Sequence, residues 1–381
     1  MVKQIRKLKI LVCGQEYPPN CSGIGNLMYN KVENFKAMGH DVKVCSPNGP
    51  DIKFEGSFEK IKKFGGLGVA YFWFETSNYL KKNSENYDRI YLHNPMVFRK
   101  LDTESSKKIR CVVHTLFYHS FKSYGYKKLV QIPYYLIMIF IQRFAYLFMR
   151  KYKFIVTSPD TSRELNFYGI NEERNGFDGK FPIVLNGFNF SKKQNVSVLK
   201  EYDFIDLKKK NLLFVGRFHP QKNLFKLLDT FKELDEKAKG EFRLIMVGDG
   251  EEMEKLKEHV KEGNISNVEF LGALTREKLD VVYDLCDYII LSSSYEGNPL
   301  ALSEALGHGL VPILSPINVF KFMKEKIGSG LIVDFENSYN ASNMIIDYDK
   351  NLDLKKEKVK IKKLAAETFS WDKVTMEYLK Y

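Results

Sequence analysis

The sequence holds no C-x-x-C pair. Its five cysteines, Cys13, Cys21, Cys45, Cys111 and Cys286, are odd in number and widely spaced. That pattern excludes a disulfide framework and a structural zinc site, and predicts reduced, mostly buried thiols of a cytoplasmic protein. A dinucleotide fingerprint is missing too. The loop after the first strand-like run, "GQEYPPNCSGIG", is too long for G-x-G-x-x-G directly after a strand, and the second run ends at Cys45-Ser46 with no acidic residue for a ribose. A dinucleotide-dependent oxidoreductase is excluded on those grounds. The D-x-D of Asp347 and Asp349 lies in the charged run "DYDKNLDLKKEK" and reads as solvated surface, not as the metal site of a cation-dependent transferase. The basic start has an apolar run too short for a signal peptide, interrupted by Gln15-Glu16-Tyr17. Low-complexity tracts and solenoid repeats are absent.

One stretch, Tyr134–Phe154, is apolar nearly all round, but Gln142 and Arg143 divide it into two short runs. This argues against a spanning helix. Two readings stay open: a helix buried under a sheet, or one that dips into a bilayer beside Arg150, Lys151 and Lys153.

What is present is a basic, divided chain of 381 residues with a net charge of +12. Residues 1–190 carry 29 Lys and Arg against 16 Asp and Glu, and residues 191–381 carry 30 against 31. The first half therefore faces an anionic partner: a membrane surface, a phospholipid-like acceptor or a nucleic acid. Length and apolar content suit two domains.

Short apolar runs ending in polar or breaker residues recur along the chain. "LKILVCG", "DVKVCSP", "DRIYLHNP", "IRCVVHT" and "KFIVTSP" come first. "NLLFVGR", "FRLIMVGDG", "VEFLGAL", "DYIILSS", "LVPILSP" and "GLIVDF" follow, with helical patterns between most of them. Strands alternating with helices predict parallel sheets built from βαβ units. The series breaks in the polar, Lys-rich stretch Val184–Asn211, which places a linker at 191–210. Two α/β domains of this kind, 1–190 and 211–365, would face one another across a cleft, with a closing helical segment at 366–381.

Within "SYEGNPLALSEALGHG", Asn298 is a good N-cap, Pro299 a good first helical residue, and Gly307-His308-Gly309 a breaker. The helix follows a strand, so its N-terminus offers free N–H groups and a positive dipole end to a phosphate or a sugar hydroxyl. Glu296 lies just before the helix. Glu304 lies five residues beyond Pro299, about 7.5 Å along the axis. Two carboxylates so spaced could grip two polyols of one ligand, as the hexose and ribose of a nucleotide sugar require. In "VGRFHPQKN", Arg217 and Lys222 project from another strand-to-helix loop, where two cations could neutralise a diphosphate without a metal.

"LLFVGRFHPQKN", "LIMVGDGEE", "VEFLGAL" and "LSSSYEGNPLALSEALGHGLVPI", in that order, resemble retaining glycosyltransferase family 4, the glycosyl transferases group 1, with the GT-B fold. Glu296-x7-Glu304 matches the family's pattern. "EYPPNCSGIGNLMYNKVENFKAMGHDVKV" resembles its first Gly-rich loop and helix, with Gly23 and Gly25 kept and Ser22 where the family has a paired glycine. "FSWDKV" resembles its C-terminal helix, which crosses back to the first domain. The resemblance implies two Rossmann-like domains, an acceptor-binding one first and a nucleotide-sugar-binding one second. It implies a hexosyltransferase that retains anomeric configuration, without metal or cofactor. Glu304 would take the ribose hydroxyls. Glu296, with Gly297, Asn298, Pro299 and Leu300, would hold the donor sugar. Arg217 and Lys222 would stabilise the departing diphosphate, and the nucleobase would meet backbone near Leu271–Leu274. His93, in "HNP", and His114 stand at strand ends where the family faces its acceptor. A saccharide or lipid-linked saccharide acceptor is expected, at an anionic membrane surface, and no nucleic acid. A non-catalytic nucleotide-sugar-binding or assembly protein and a nucleotide-sugar epimerase share the fold and stay as alternatives. Loss of turnover with retained donor binding would mark the first, and donor consumption without acceptor the second.

Overall fold

A computed structural model describes residues 6–19, 23–114, 116–118, 132–188 and 205–381. The chain forms two compact units. One comprises Met1–Asn186 with Trp371–Tyr381, and the other Gly187–Ser370. Most of the expected linker, 191–204, lies outside the described residues, as does Cys21. All eleven expected strands are present.

The first unit holds a parallel sheet of β1 (Lys9–Gly14), β2 (Asp41–Cys45), β3 (Arg89–His93), β4 (Ile109–Val113) and β5 (Lys153–Val156), in the order β2-β1-β3-β4-β5. Helices cover both faces, so β1, β3 and β4 are buried along nearly their whole length, whereas β2 at the sheet edge alternates, with Asp41 and Lys43 exposed. One face, with Leu11, Cys13, Leu92, Cys111 and Val113, packs on Phe72 and Trp73 of the Gly66–Asn83 helix and on Met138 and Tyr146 of the Ile132–Phe148 helix. The other face packs on the Gly23–Ala37 and Trp371–Lys380 helices. Tyr91 is central there, with its ring 5.3 Å from Phe35 and 6.0 Å from Tyr378. Cys13, Cys45, Cys111 and Cys286 are buried and free, as expected.

The Ile132–Phe148 helix differs from a fully buried one. Met138, Gln142, Ala145 and Tyr146 face inward. Leu136, Ile137, Phe140, Phe144 and Leu147 face out, Phe140 being 71% exposed. Gln142 does not break the helix: it is buried and accepts the Phe117 N–H at 3.0 Å. Arg143 turns out and donates to the Phe167 carbonyl at 2.6 Å. Among the described residues no helix is long and apolar enough to cross a membrane.

The second unit holds a parallel sheet of β6 (Lys210–Val215), β7 (Phe242–Val247), β8 (Val268–Gly272), β9 (Tyr288–Leu291), β10 (Val311–Leu314) and β11 (Leu331–Ile332), in the order β11-β10-β9-β6-β7-β8. The chain leaves β6 toward β7 and β8, and later leaves β9 toward β10 and β11. The boundary between β6 and β9 is therefore the topological switch point, where the loops leaving the strand ends diverge and open a crevice for a ligand. The D-x-D reading needs correction at Asp349. The Ser338–Lys350 helix turns this residue inward, where it accepts from the Tyr288 hydroxyl at 2.6 Å and pairs with Lys210. Asp347 is exposed, so the two carboxylates point to different sides.

Candidate active site

The loops leaving β6 and β9 meet at the switch point of the second unit. The β6 loop closes in a short 3-10 turn, Pro220–Lys222, capped by His219 Nδ1, which accepts the Gln221 N–H at 3.2 Å. Asn223 then takes a left-handed conformation, φ 54°, at the head of the Leu224–Lys237 helix. The two loops are laced together. Gln221 Nε2 donates to the Tyr295 carbonyl at 2.7 Å, and the Ser294 N–H to the Gln221 carbonyl at 2.9 Å. The Ser292 hydroxyl donates to the Lys222 carbonyl at 2.7 Å. The outcome is an ion pair between Lys222 and Glu296, largely buried, with the Ser293 hydroxyl also donating to Glu296 Oε1 at 2.8 Å. Ser293 was not foreseen from sequence. Gly248, φ 138°, lies under the same edge, where a Cβ would collide with the Gly216 carbonyl oxygen.

Arg217 is exposed on the β6 loop and has no hydrogen-bond or ion-pair partner among the described residues. Its guanidinium is available to an anion.

The helix after β9 begins one residue later than expected, at Leu300, and runs to His308. Pro299 is its N-cap residue and not its first helical one. Its ψ of 114° is extended, and its carbonyl accepts the Leu302 N–H at 3.2 Å. Asn298 therefore stands ahead of the cap. Gly307 does not break the helix. It lies against the Phe188 ring, where a Cβ would clash, and Gly309, φ 87°, ends the helix.

Glu304 reaches one side of this helix. Its Oε1 pairs with Arg276, and its Oε2 accepts from the Tyr283 hydroxyl at 3.2 Å. Burial alone would lower the Arg276 pKa, but the carboxylates of Glu304 and Asp280 raise it above the ordinary guanidinium value. Burial, then Glu304, pushes the Tyr283 hydroxyl well up, so it stays a donor. Tyr283 stacks on His308 at 5.1 Å, and His308 Nδ1 is 2.8 Å from Asp284. Arg276 and Tyr283 went unnoticed in the sequence, although with Asp280 they fall on one face of the Arg276–Leu285 helix.

In the first unit Gly23 and Gly25 open the Gly23–Ala37 helix, with Gly25 buried. Residues 20–22, where Ser22 replaces the paired glycine, lie outside the described residues. His93 and His114 stand side by side at the carboxyl ends of β3 and β4. His93 Nδ1 lies 2.9 Å from His114 Nε2, and the rings stack at 5.1 Å. The other His93 nitrogen, Nε2, lies 3.3 Å from the Lys31 amine. Lys31 is almost wholly buried, over the Tyr378 ring at 3.3 Å. His93 is therefore sealed, with both ring nitrogens engaged. Burial, then Lys31, holds His114 at a pKa of about 3 and His93 well below the usual imidazole range.

Residues 173–370 match the family described as glycosyl transferases group 1, and residues 21–175 match glycosyltransferase family 4. The first match spans just over half of the chain. The chain belongs to the glycosyl transferases group 1 family. It is similar to an uncharacterized glycosyltransferase of Methanocaldococcus jannaschii, 24% identical over 59% of this chain and 60% of that one. The chain thus spans less than two thirds of that relative. It is also similar to the alpha-monoglucosyldiacylglycerol synthase of Acholeplasma laidlawii, 23% identical over 85% and 84% of the two chains. Anabaena HepE, solved with UDP and glucose, shares the fold at a TM-score of 0.62, 16% identity and 98% coverage of both chains.

Proposed function

We propose that this group 1 family member transfers a hexose from a nucleotide-sugar donor to a saccharide or lipid-linked saccharide acceptor, with retention and without a metal. The observation that carries the reading is the Lys222–Glu296 ion pair at the switch point, next to the Leu300–His308 helix N-terminus. A sugar held by Glu296 lies beside the cation that meets its leaving diphosphate. Arg217 adds a second cation, and charge growing on the phosphate in the transition state is where such groups act most strongly. Glu304, held by Arg276 and Tyr283, presents its carboxylate to the ribose hydroxyls. UDP and glucose in Anabaena HepE support a donor of this class. A panel of UDP-, GDP- and ADP-sugars in a thermal-shift assay tests it, because a ligand that binds the native state raises stability by mass action. One nucleotide class should raise the melting temperature well above the others. Equal indifference to all three contradicts the reading.

We infer further that the acceptor is met on an anionic bilayer. Between Ser105 and Pro159 the sequence contains no Asp or Glu, against ten Lys and Arg. The exposed apolar face of the Ile132–Phe148 helix lies in that stretch, ending at Arg150 and Lys151. Gly66 donates its N–H to the Tyr134 hydroxyl, which brings exposed Phe64 and Leu67 to the same helix end. An outward apolar face in a stretch of chain rich in cations and without carboxylates suits the interface of an anionic lipid surface. The Acholeplasma relative, named for a glucosylated diacylglycerol, supports a lipid-borne acceptor.

A further inference from the structure

Glu304 does not stand alone on its helix. One turn further on is His308, and both meet the face of the Arg276–Leu285 helix that carries Arg276, Asp280, Tyr283 and Asp284. Arg276 pairs with Glu304 through one Nη and lies 2.9 Å from Asp280 Oδ1 through Nε. Asp280 Oδ1 is also 3.5 Å from His308 Nε2, and Asp284 Oδ1 is 2.8 Å from His308 Nδ1. Arg276 is therefore shared by two carboxylates, and Asp280 by two cations. The side chains of His308 and Asp280 are only 9% and 13% exposed, so water screens little of what passes between them.

Both ring nitrogens of His308 face carboxylate oxygens. A neutral imidazole has one N–H and one lone pair, so one nitrogen would aim its lone pair at a carboxylate. The geometry therefore fits the imidazolium. Burial works against the charged form, but Asp280 and Asp284 outweigh it and raise the His308 pKa above the ordinary value, in agreement. The other groups packed around His308 are accounted for. The Tyr283 ring stacks on it while its hydroxyl serves Glu304. From the Leu354–Phe369 helix, Lys358 gives its amine to the Cys286 carbonyl at 2.7 Å and to Asp287 at 3.0 Å, and Lys362 is exposed beside Gly309. Strand β10 brings only apolar side chains.

We propose that the His308 imidazolium is a positioning group for the nucleotide donor: by holding Asp280 it leaves Arg276 on Glu304, and loss of its proton turns Arg276 toward Asp280 and loosens the grip on the ribose. The inference rests on the reading of Glu304 given above. With the proton in place, two cations, Arg276 and His308, stand against three carboxylates, Asp280, Asp284 and Glu304. Without it Asp280 draws on Arg276 alone and competes with Glu304 for the guanidinium. Arg276 is 44% exposed on a long side chain, so it is the member free to turn. The cluster also gains one uncompensated negative charge. Both changes act against an anionic donor, one by releasing the carboxylate that meets the ribose and the other by repelling the diphosphate. Proton and donor therefore favour one another, each by the same factor. Donor affinity is highest below the His308 pKa, falls as pH rises through it and levels off above it.

Calorimetric titration of the full chain with UDP-, GDP- and ADP-glucose from about pH 6 to about pH 9 tests this. The nucleotide sugar that binds should bind about 5-fold or more tightly at the low end, with proton uptake between. His308→Gln should hold the parent's high-pH affinity throughout. Adding Asp280→Asn to it should return the affinity toward the parent's low-pH value, because nothing then draws Arg276 off Glu304. A merely structural role for His308 predicts a further loss instead. Should His308→Gln fail to fold, Asp284→Asn should move the fall in affinity to lower pH. A parent affinity that is flat across this range overturns the proposal, as does a fall that survives unchanged in these variants. If none of the three sugars binds the parent, the donor reading fails, and nitrogen-15 NMR of the arginine side chains in the ligand-free chain at one pH still judges His308. The Arg276 Nη protons should be resolved in the parent, broadened by rotation in His308→Gln and resolved again in the double variant. Arg276 signals indifferent to His308→Gln overturn the proposal without any ligand.

Discussion

Lys222 and Glu296, 74 residues apart in sequence, form one ion pair at the edge of the second sheet. Each comes from a different loop, and the loops are stitched by Gln221, Ser292 and Ser294. The pair is the point where the two loops of the candidate site are tied. Lys222→Met and Glu296→Gln should each reduce turnover strongly. The double variant should lose less than the two single losses together, by a coupling of about 0.5–3 kcal/mol. Strictly additive losses in a double-mutant cycle would show that the pair does not act as a unit.

Glu304 should matter to binding more than to turnover. Hydrogen bonds to a charged group contribute about 1.5–3 kcal/mol each, so Glu304→Ala should weaken donor affinity about 10- to 100-fold. Tyr283→Phe removes one of the two groups that hold the carboxylate and should give a smaller loss in the same direction. Calorimetric titration with the matching nucleoside diphosphate reads both. Unchanged affinity in Glu304→Ala rules out the ribose role.

Arg217 makes the opposite forecast. It is exposed and unpartnered among the described residues, so Arg217→Ala should leave the melting temperature alone. Turnover should fall by about 10²–10³, the usual scale for a lost charge stabiliser. A parent-like rate in Arg217→Ala would remove it from the site.

The buried histidines make the fold sensitive to acid. The unfolded chain takes up imidazole protons near pH 6.5. In the native state His114 resists until about pH 3, and His93 is also held low. Between those values the unfolded state binds more protons, so stability falls as pH drops from about 6.5 toward 3. His308 works in the opposite sense. Burial alone would lower its pKa, but Asp280 and Asp284 raise it, so its contribution is present below about pH 6.5 and lost as pH rises through the raised value. In chemical denaturation His114→Asn should show a shallower loss between pH 6.5 and 4 than the parent. An equally steep loss would mean that His114 does not carry the acid sensitivity.

Flotation with liposomes checks the bilayer reading. Binding should need anionic lipid, weaken as salt rises, and fall sharply in Phe140→Ser with Phe144→Ser, since both rings face out. A parent protein that ignores anionic vesicles at low salt excludes this surface as a membrane contact.

Much of the fold was legible because parallel strands buried on both faces leave continuous apolar runs, and all eleven were visible as such. The candidate site was legible in outline, because Glu296, Arg217 and Lys222 sit in loops at strand ends and Glu304 in the helix that follows β9. What stayed hidden depends on packing across distant segments. Arg276 bonds Glu304 from 28 residues away without a spacing that announces it, whereas Ser293 stands only three residues before Glu296 and its S-x-x-E spacing was overlooked. Lys31 left a trace, as a cation inside an apolar helical stripe, but its partner His93 is 62 residues away. The outward apolar face of the Ile132–Phe148 helix could not be told from a buried one, because a helix apolar all round carries no period to say which side is covered.

The central claim is metal-independent transfer with retention. It is tested most directly by running the reaction with the selected nucleotide sugar in excess chelator and reading the product's anomeric proton by NMR. Undiminished release of nucleoside diphosphate and a product with the donor's anomeric configuration are predicted. Turnover that disappears in chelator and returns with Mn²⁺ or Mg²⁺, or a product of inverted configuration, would contradict the account.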